Sequence, residues 1–313
     1  MALTPVEVAK ILKITKNTVY ELIKRGELPA YRVGRKIRVD LKDVEEYKKQ
    51  GKKQEPFYQV NASRELLNKT NIQPGDTKVQ PQGLVICGQD VILDVLSRHL
   101  ERDPQGVSAL RLYVGSFSGL LALYQGNAHM AAIHLWDGDT GEYNIPYVRR
   151  LLPGIPVVIV HLAFRMQGFY VIKGNPKNIN TWEDLTREDV RFINREKGCG
   201  TRVLLDEKIR CLEIDRSLIN GYEKEEMSHL AVASAVARGE ADVALGNEKA
   251  AMQVRGLEFI PIQKERYELV IRKEDMVKSQ FQKVLEIIQS EEFKAEISGL
   301  GDYDLGETGR IIV

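Results

Sequence analysis

From Gly83 to the C-terminus, short apolar runs alternate with segments of helical periodicity. This alternation is typical of a largely parallel β-sheet with helices on both faces. In such sheets, ligands bind beyond the carboxyl ends of the strands, next to helix N-termini. The predicted strands are Leu84–Cys87, Leu110–Val114, Met130–Leu135, Val157–Leu162, Tyr170–Ile172, Val190–Ile193, Asp242–Leu245 and Phe259–Ile262, and the predicted helices are Val91–Leu100, Leu120–Gln125, Val203–Glu213, Leu230–Arg238 and Phe281–Ser290.

Three predicted strand-to-helix turns, at 87–90, 115–119 and 194–202, are rich in small or polar residues. Small residues let backbone N–H groups approach a ligand, hydroxyls add donors, and the helix dipole favours an anion. We therefore expect a small anion to bind at these turns. Either arginine of the third turn could supply charge, or could pair with nearby acids instead. The candidate ligand-binding residues of the turns are Gln89, Ser116, Ser118, Arg195, Cys199, Gly200, Thr201 and Arg202.

The first fifty residues contain two short predicted helices separated by a turn. Thr4, Pro5 and Glu7 predict a helix start, with Thr4 as N-cap and Glu7 closing a capping box. Thr15 is predicted to cap a second helix, which ends at Gly26. Two short helices joined by a tight turn form a helix-turn-helix unit, whose second helix enters the major groove of DNA.

A basic hairpin is predicted after the second helix. Residues alternate in polarity on either side of Gly34-Arg35, which indicates two strands with arginines near the tip. A basic hairpin beside a recognition helix is a wing, positioned to touch phosphates or the minor groove. The candidate DNA-binding residues are Lys16, Asn17, Thr18 and Tyr20 on the helix and Arg32, Arg35, Lys36 and Arg38 on the wing.

Charge is distributed unevenly along the chain. The net charge is only +1, but residues 1–56 carry 14 Lys+Arg against 8 Asp+Glu, whereas the remainder carries 31 against 36. A basic head on an acidic body indicates that the head contacts a polyanion. With its caps, its GELPA turn and its wing, segment 3–47 resembles the excisionase/MerR-like winged helix-turn-helix family. The resemblance implies binding to double-stranded DNA, and a helical protein–protein adaptor is the alternative.

The region 83–313 resembles the periplasmic-binding-protein-like domain that is fused to helix-turn-helix modules in bacterial regulators. The segments GDTGEYNIPYVRRLLPG, FINREKGCGTRVLLD and HLAVASAVARGEADVALG carry the resemblance. The region 83–313 is also similar to tungstate- and molybdate-binding components of ABC importers. In those components, a His-containing turn and an Arg…SGT turn surround the oxyanion. The first loop departs from the importers, since it reads Gly88-Gln89-Asp90 where they carry Ser or Thr. The matching positions are His134, Arg195, Gly200 and Thr201, with Cys199 in place of the usual serine.

The resemblance to periplasmic-binding-protein-like domains implies a two-lobed α/β fold of the type II class. Lobe 1 would combine about 83–160 with 265–313, lobe 2 would span about 165–260, and hinge segments would lie near 159–164 and 261–268. Residues 51–82 are mostly polar and aperiodic, which is typical of a linker. The predicted domains are a winged helix-turn-helix domain over 1–50, a linker over 51–82 and a ligand-sensing domain over 83–313.

The sequence contains no pattern typical of a metal-binding or catalytic site. His134 lies near several acidic residues, but no second histidine has useful spacing, so we expect no metal. Cys199 lies at a predicted helix N-terminus, which favours a thiolate, yet no base is identifiable for it. No phosphate loop or carboxylate pair has catalytic spacing. We therefore predict no enzyme, no catalytic residue and no cofactor; an enzyme or accessory protein of the molybdenum-cofactor pathway is the alternative.

These features predict a DNA-binding transcriptional regulator controlled by a small anion, with molybdate or tungstate as leading candidates and a small organic metabolite as the alternative. No apolar run approaches the roughly 20 residues of a membrane span, and the N-terminus lacks a signal-peptide core. Three cysteines without a CxxC motif fit a reducing compartment, so we expect a cytoplasmic protein without membrane contact. Because operators commonly have two-fold symmetry, we expect a homodimer.

Overall fold

Two compact units, Met1–Gln73 and Pro74–Val313, make up the chain. The computed structural model describes residues 2–12, 15–24, 28–33, 36–44, 47, 83–103 and 107–313. The predicted linker over 51–82 lies outside the described residues, so the domain boundaries stay predictions.

The first unit is a helix-turn-helix with a small sheet. Its elements are β1 (Ala2–Leu3), α1 (Pro5–Leu12), α2 (Lys16–Lys24), β2 (Tyr31–Val33) and β3 (Lys36–Asp40), followed by a helical turn at 41–44. Strand β3 pairs antiparallel with both β1 and β2, and the β2–β3 hairpin is the predicted wing. The core of this unit consists of Leu3, Val8, Ala9, Val19, Leu22, Leu28, Val39 and Val44.

Both predicted helix caps are confirmed. The Glu7 N–H donates to Thr4 Oγ1 at 3.3 Å, and the Thr4 N–H donates to Glu7 Oε2 at 2.7 Å. The bonds from Thr4 hold the pKa of the Glu7 carboxyl below its usual value. At the second helix, the Thr18 N–H donates to Thr15 Oγ1 at 3.2 Å. These bonds satisfy donors that the first helical turn leaves unpaired, and so they determine where α1 and α2 begin.

The second unit is a single curled sheet covered by helices. Its strands are β4 (Leu84–Cys87), β5 (Ala109–Leu112), β6 (Met130–Ile133), β7 (Val157–Ile172), β8 (Phe192–Arg195), β9 (Glu225–Glu226), β10 (Val243–Asn247) and β11 (Leu257–Arg272). Its α-helices are α3 (Ile92–Arg102), α4 (Ser116–Tyr124), α5 (Ile145–Leu151), α6 (Gly200–Cys211), α7 (His229–Ala237), α8 (Glu248–Gln253), α9 (Ser279–Gln289) and α10 (Glu291–Leu300). No helix in the described ranges is long and apolar enough to cross a membrane.

The sheet is mixed rather than largely parallel, with the strand order β5-β4-β6-β11-β7-β10-β8-β9. Three strands at each end are parallel to one another, whereas β11 and β7 in the middle run antiparallel to each other and to their outer neighbours. Both central strands have 16 residues. The prediction of two strands in place of β7 is wrong: polar residues such as Arg165 and Gln167 interrupt the apolar pattern, but backbone ladder bonds do not depend on side-chain polarity.

Four hydrophobic clusters divide this unit into two lobes. Two clusters draw on residues within 84–163 and 267–297, and the other two draw on residues within 169–251. We call the parts around them lobe 1 and lobe 2. Strands β7 and β11 pass from one lobe to the other, and the predicted hinge segments lie inside these two strands. The two-lobed α/β fold predicted for this region is confirmed.

Candidate functional site

A small cavity of about 30 Å³ lies between the two lobes. Residues at the ends of β4, β5 and β6 line it from lobe 1, and residues at or after the ends of β8 and β10 and at the N-terminus of α7 line it from lobe 2. This placement matches the expected position of a ligand in an α/β sheet. Six of the nine predicted ligand-binding residues line the cavity: Gln89, Ser116, His134, Arg195, Cys199 and Gly200.

The N-termini of four helices face the cavity. The first N–H groups of a helix have no acceptor inside the helix and carry the positive end of its dipole. Several such termini around one small space favour an anion there through the positive ends of their dipoles. The lining residues at these termini are Gly88, Gln89 and Asp90 before α3, Gly115 and Ser116 at α4, Cys199 and Gly200 at α6, and His229 at α7.

Arg195 is a buried cation with one unused donor. Its side chain is only 1% exposed. Nε donates to Glu196 Oε2 at 2.7 Å, and Nη2 donates to Gln89 Oε1 at 2.7 Å. Nη1 has no hydrogen-bond partner among the described residues. Leaving a buried donor unpaired is costly, so Nη1 is available to an anion in the cavity.

Arg165, in β7, connects the cavity to both central strands. Its Nη1 donates to Asp90 Oδ2 at 2.5 Å, and its Nη2 lies 2.5 Å from Glu265 Oε1 in β11, an ion pair without hydrogen-bond alignment. The guanidinium carbon lies 3.9 Å from the centroid of the Tyr267 ring. Burial lowers the pKa of Arg165, but Glu265 and Asp90 outweigh burial and hold it above its usual value. Arg165 is therefore a permanent buried cation.

Glu265 and Gly200 hold the His134 ring in place. His134 Nδ1 lies 2.6 Å from Glu265 Oε2. Burial raises the pKa of Glu265, but Arg165 and His134 lower it more strongly, and the result is a pKa of about 2. A Cβ atom on Gly200 would lie 2.6 Å from His134 Cε1, so this approach of the two lobes requires glycine. The cavity wall is thus a tightly coupled set of charges in a closed cleft.

The recognition helix of the first unit presents polar residues to solvent. Lys16, Thr18 and Tyr20 are exposed, whereas Val19 and Leu22 are buried. The Lys16 Nζ lies 5.8 Å from the centroid of the Tyr20 ring. The exposed groups include a cation and an aromatic ring, which are side chains that contact DNA phosphates and bases.

The remaining predicted DNA-binding residues lie on α2 and on the wing. Asn17 belongs to α2, Arg32 belongs to β2, and Lys36 belongs to β3. Arg38 is half-buried in β3, and its Nη1 donates to the Ile37 carbonyl at 3.2 Å. Arg35 lies outside the described residues, so its place at the tip of the wing stays a prediction.

Family models match both units. A helix-turn-helix domain model matches residues 2–52, and a PBP superfamily domain model matches residues 97–289, more than half of the chain. The chain belongs to the PBP superfamily. The helix-turn-helix and periplasmic-binding-protein-like resemblances are therefore confirmed. The finer likenesses, to MerR-like proteins and to molybdate- or tungstate-binding components, stay predictions.

The chain is also similar to individual proteins and solved structures. The protein YvgK of Bacillus subtilis is 42% identical over 98% of this chain and 96% of its own length. The protein Rv0500A of Mycobacterium tuberculosis, a candidate DNA-binding protein, is 55% identical over 42 residues, which are 13% of this chain and 54% of that protein. A candidate phosphate-transporter substrate-binding protein from Clostridium perfringens, solved with bound phosphate, covers 71% of this chain and 98% of its own with a TM-score of 0.53. At 14% identity, this last likeness shows the fold alone.

Ser118 does not line the cavity of this PBP-superfamily protein. Helix α4 begins at Ser116, not at the predicted Leu120, so 116–119 form its first helical turn. Ser116 consequently lines the cavity, whereas Ser118 is exposed. The glycines at 115 and 119 suggested an irregular turn, but helical bonds continue through Gly119, whose N–H donates to the Gly115 carbonyl at 2.9 Å.

Thr201 and Arg202 do not line the cavity either. Thr201 Oγ1 donates to Gln167 Oε1 at 3.2 Å, below the cavity wall. Arg202 Nε donates to Asp206 at 3.0 Å, and its Nη1 donates to Glu225 at 3.1 Å. Of the two arginines predicted as alternatives for charge compensation, Arg202 pairs with nearby acids and Arg195 faces the cavity.

Cys199 is a capping residue rather than an activated thiol. Its Sγ accepts a hydrogen bond from the Arg202 N–H at 3.3 Å, as the N-cap of α6. Burial raises the pKa of the Cys199 thiol to about 12. The thiol is therefore protonated at neutral pH, and a thiolate nucleophile is not populated. Within the described ranges, no group of three or more His, Cys, Asp or Glu is arranged to hold a metal ion.

Several lining residues were absent from the sequence-based prediction. Arg165 and Glu265 are direct partners across β7 and β11, but this register could not be read from the sequence. The available signal was a pair of opposite charges at the two predicted hinge segments, with Arg165 directly after 159–164 and Glu265 within 261–268. The polar lining residues that the prediction missed are Asp90, Arg165, His229, Asn247 and Tyr267.

Proposed function

We propose that this protein is a ligand-responsive, DNA-binding transcriptional regulator, and not an enzyme. The observation that carries the proposal is the union of a helix-turn-helix domain with a PBP superfamily domain whose cleft contains the unpaired Arg195 donor. Because the two domains are in one chain, ligand binding to the second domain can control DNA binding by the first. The protonated Cys199 thiol argues against a cysteine enzyme at this cavity.

The proposed ligand is a small anion, with molybdate or tungstate as leading candidates. Support comes from the small cavity, the converging helix N-termini and the buried Arg195. One structural neighbour holds phosphate, so this fold accommodates a tetrahedral oxyanion in at least one protein. A small organic acid is the second candidate, because the Asp90 carboxylate also lines the cavity and can accept a hydrogen bond from a hydroxyl or ammonium group.

Regulation would follow from unequal binding of the ligand to open and closed forms. An anion between the lobes stabilises the closed form, because it is held by donors from both sides. A difference of roughly 1–3 kcal/mol between the two forms is enough for a functional switch. In the proposed homodimer, closure would change the spacing of the two DNA-binding heads.

The decisive experiment measures ligand binding and DNA binding on the full chain. Calorimetry with molybdate, tungstate, sulfate and phosphate identifies the anion, and a thermal-shift assay confirms it, because a ligand that binds the native state raises the melting temperature. We expect the binding anion to change operator affinity. If no anion binds but DNA does, the regulator proposal is restricted to another ligand class; if DNA does not bind, the regulator proposal is wrong.

Two serines of α4 provide a matched pair of variants. Ser116→Ala should weaken anion binding about tenfold, since Ser116 lines the cavity and its hydroxyl can donate to a charged ligand. Ser118→Ala removes the same group from the exposed face of the same helix and should bind as the parent does. Equal affinities of the two variants in calorimetry would contradict the assignment of this cavity.

DNA binding should weaken steeply as salt rises, because the basic head displaces counterions from phosphates. Lys16→Ala should lower affinity for all duplex sequences and reduce the salt slope by about 1. Lys224→Ala, an exposed lysine of the second unit, is the control and should leave the slope unchanged. Fluorescence anisotropy over a range of salt concentrations measures both. If the salt slope is the same in the parent and in Lys16→Ala, Lys16 does not contact the DNA phosphates.

A further inference from the structure

The lobes also touch at the rim of the cleft, outside the cavity. The Gly138 N–H of lobe 1 donates to Glu207 Oε2 of α6 at 2.8 Å. Arg210 Nη2, one turn further along α6, donates to Asp139 Oδ1 at 2.7 Å. We call the contact between 136–139 and 207–211 the rim contact. None of its residues lines the cavity.

Near the rim contact, an apolar side chain of each lobe packs against a hydrophobic cluster of the other lobe. Trp136, which follows β6 in lobe 1, packs against the hydrophobic cluster of lobe 2. Val203 of α6 packs against a cluster of lobe 1. The Lys208 Nζ lies 4.0 Å from the centroid of the Trp136 ring, close enough for a cation–π interaction. Opening the cleft would expose these apolar surfaces and break the hydrogen bonds together.

We propose that the rim contact is a clasp that holds the lobes closed and determines how long the cavity ligand remains bound. The inference rests on the proposed function, since it assumes a ligand in the cavity. A ligand enclosed by two lobes leaves only when they separate, so contacts that exist only in the closed form slow dissociation. Affinity then depends on residues that never touch the ligand.

Gly138 makes the clasp testable. A Cβ atom on Gly138 would lie 2.6 Å from Cys211 Sγ and 2.7 Å from Glu207 Oε2. The backbone of Gly138 is not in the left-handed region, so other residues can adopt its conformation. A side chain at this position would therefore displace the Cys211 and Glu207 side chains of the opposite lobe, so it acts on the closed form.

A disulfide trap tests whether the clasp forms in solution. Across a disulfide, Cβ of one cysteine lies about 3 Å from Sγ of the other, which the geometry at Gly138 and Cys211 approaches. In Gly138→Cys treated with oxidised glutathione, the introduced thiol should form a disulfide with Cys211, with two glutathione thiols as the reduced product. Gly299→Cys, with open space around its Cβ, is the control and should form no bond to Cys211.

Peptide mapping by mass spectrometry identifies the products. A bond between positions 138 and 211 supports the clasp. If both thiols become glutathionylated and no bond forms between them, the two lobes do not meet in solution as proposed, and the inference is overturned.

A second variant tests the effect of the clasp on the ligand. In full-length Gly138→Val, the molybdate dissociation rate should rise about tenfold, as expected for overpacking of a contact that exists only in the closed form. Gly299→Val should release molybdate as the parent does. An unchanged rate in Gly138→Val overturns the inference. If the parent binds no oxyanion, the proposed ligand class fails, and the disulfide experiment alone decides on the clasp.

Discussion

Replacing Arg165 with methionine should lower the free energy of unfolding by about 3–5 kcal/mol, the usual cost of breaking a buried ion pair from one side. Methionine removes the cation but keeps an apolar stem, so the Asp90 and Glu265 carboxylates remain buried without compensation. Arg238→Met removes an arginine from an exposed pair with Glu240 and should have little effect.

Urea denaturation of both variants measures the difference. If Arg165→Met loses no more stability than Arg238→Met, the buried network does not stabilise the fold as described.

Lowering the pH should reduce the stability of the parent protein through the same network of buried charges. The pKa of Glu265 is lowered from 4.5 to about 2, so the folded state binds this proton less tightly than the unfolded chain does. The resulting stability is fully present above the ordinary carboxyl pKa and is lost as pH falls toward 2. In Arg165→Met, the pKa of Glu265 should rise, because its main counter-charge is gone. The acid unfolding midpoint of this variant should therefore shift to higher pH; an unchanged midpoint would show that another group controls acid stability.

The second large effect is expected at Arg195. Arg195→Met should weaken molybdate binding about 100-fold, because it removes a buried donor that faces the anion in the closed cleft. DNA binding itself should persist in this variant, but its dependence on the anion should disappear. Arg195 is therefore expected to separate sensing from DNA binding.

Arg202→Met is the matched comparison for Arg195→Met. Both arginines are almost fully buried in the same part of lobe 2, but Arg202 pairs with Asp206 and Glu225 away from the cavity. Arg202→Met should reduce stability and leave anion affinity near that of the parent. Calorimetry at a temperature where both variants are folded compares them directly. Equal losses of affinity would mean that burial of charge, rather than contact with the anion, explains both effects.

Local sequence signals predicted the first unit well. Thr4 with Glu7, and Thr15 with Thr18, make the predicted capping bonds, and the hairpin after α2 pairs as expected. These features depend on residues a few positions apart. The interactions that form them are local, so the sequence alone is enough to predict them.

Helix starts in the second unit were predicted less well. α4 begins at Ser116 and α6 at Gly200, each a few residues before the predicted start. Glycine and serine were interpreted as turn residues, since both have low helix propensity. Both glycines lie against the opposite lobe: a Cβ on Gly115 would lie 2.9 Å from Cys199 Cα, and one on Gly200 would lie 2.6 Å from His134 Cε1, so the contact between lobes rather than a turn explains them. Because α4 begins at Ser116, Ser118 lies on the exposed face of the helix and not in the predicted site.

The sequence by itself determined the class of each unit, the helix-turn-helix with its wing and the strand–helix alternation of a two-lobed sheet. It also indicated the turns that carry Gln89, Ser116 and Arg195. The tertiary structure decided which arginine faces the cavity, and it placed Arg165 directly opposite Glu265 across β7 and β11. The reason is physical: caps and periodicity arise between neighbours in the chain, whereas the charges of the cavity are paired by strand register and lobe closure, which join residues a hundred or more positions apart.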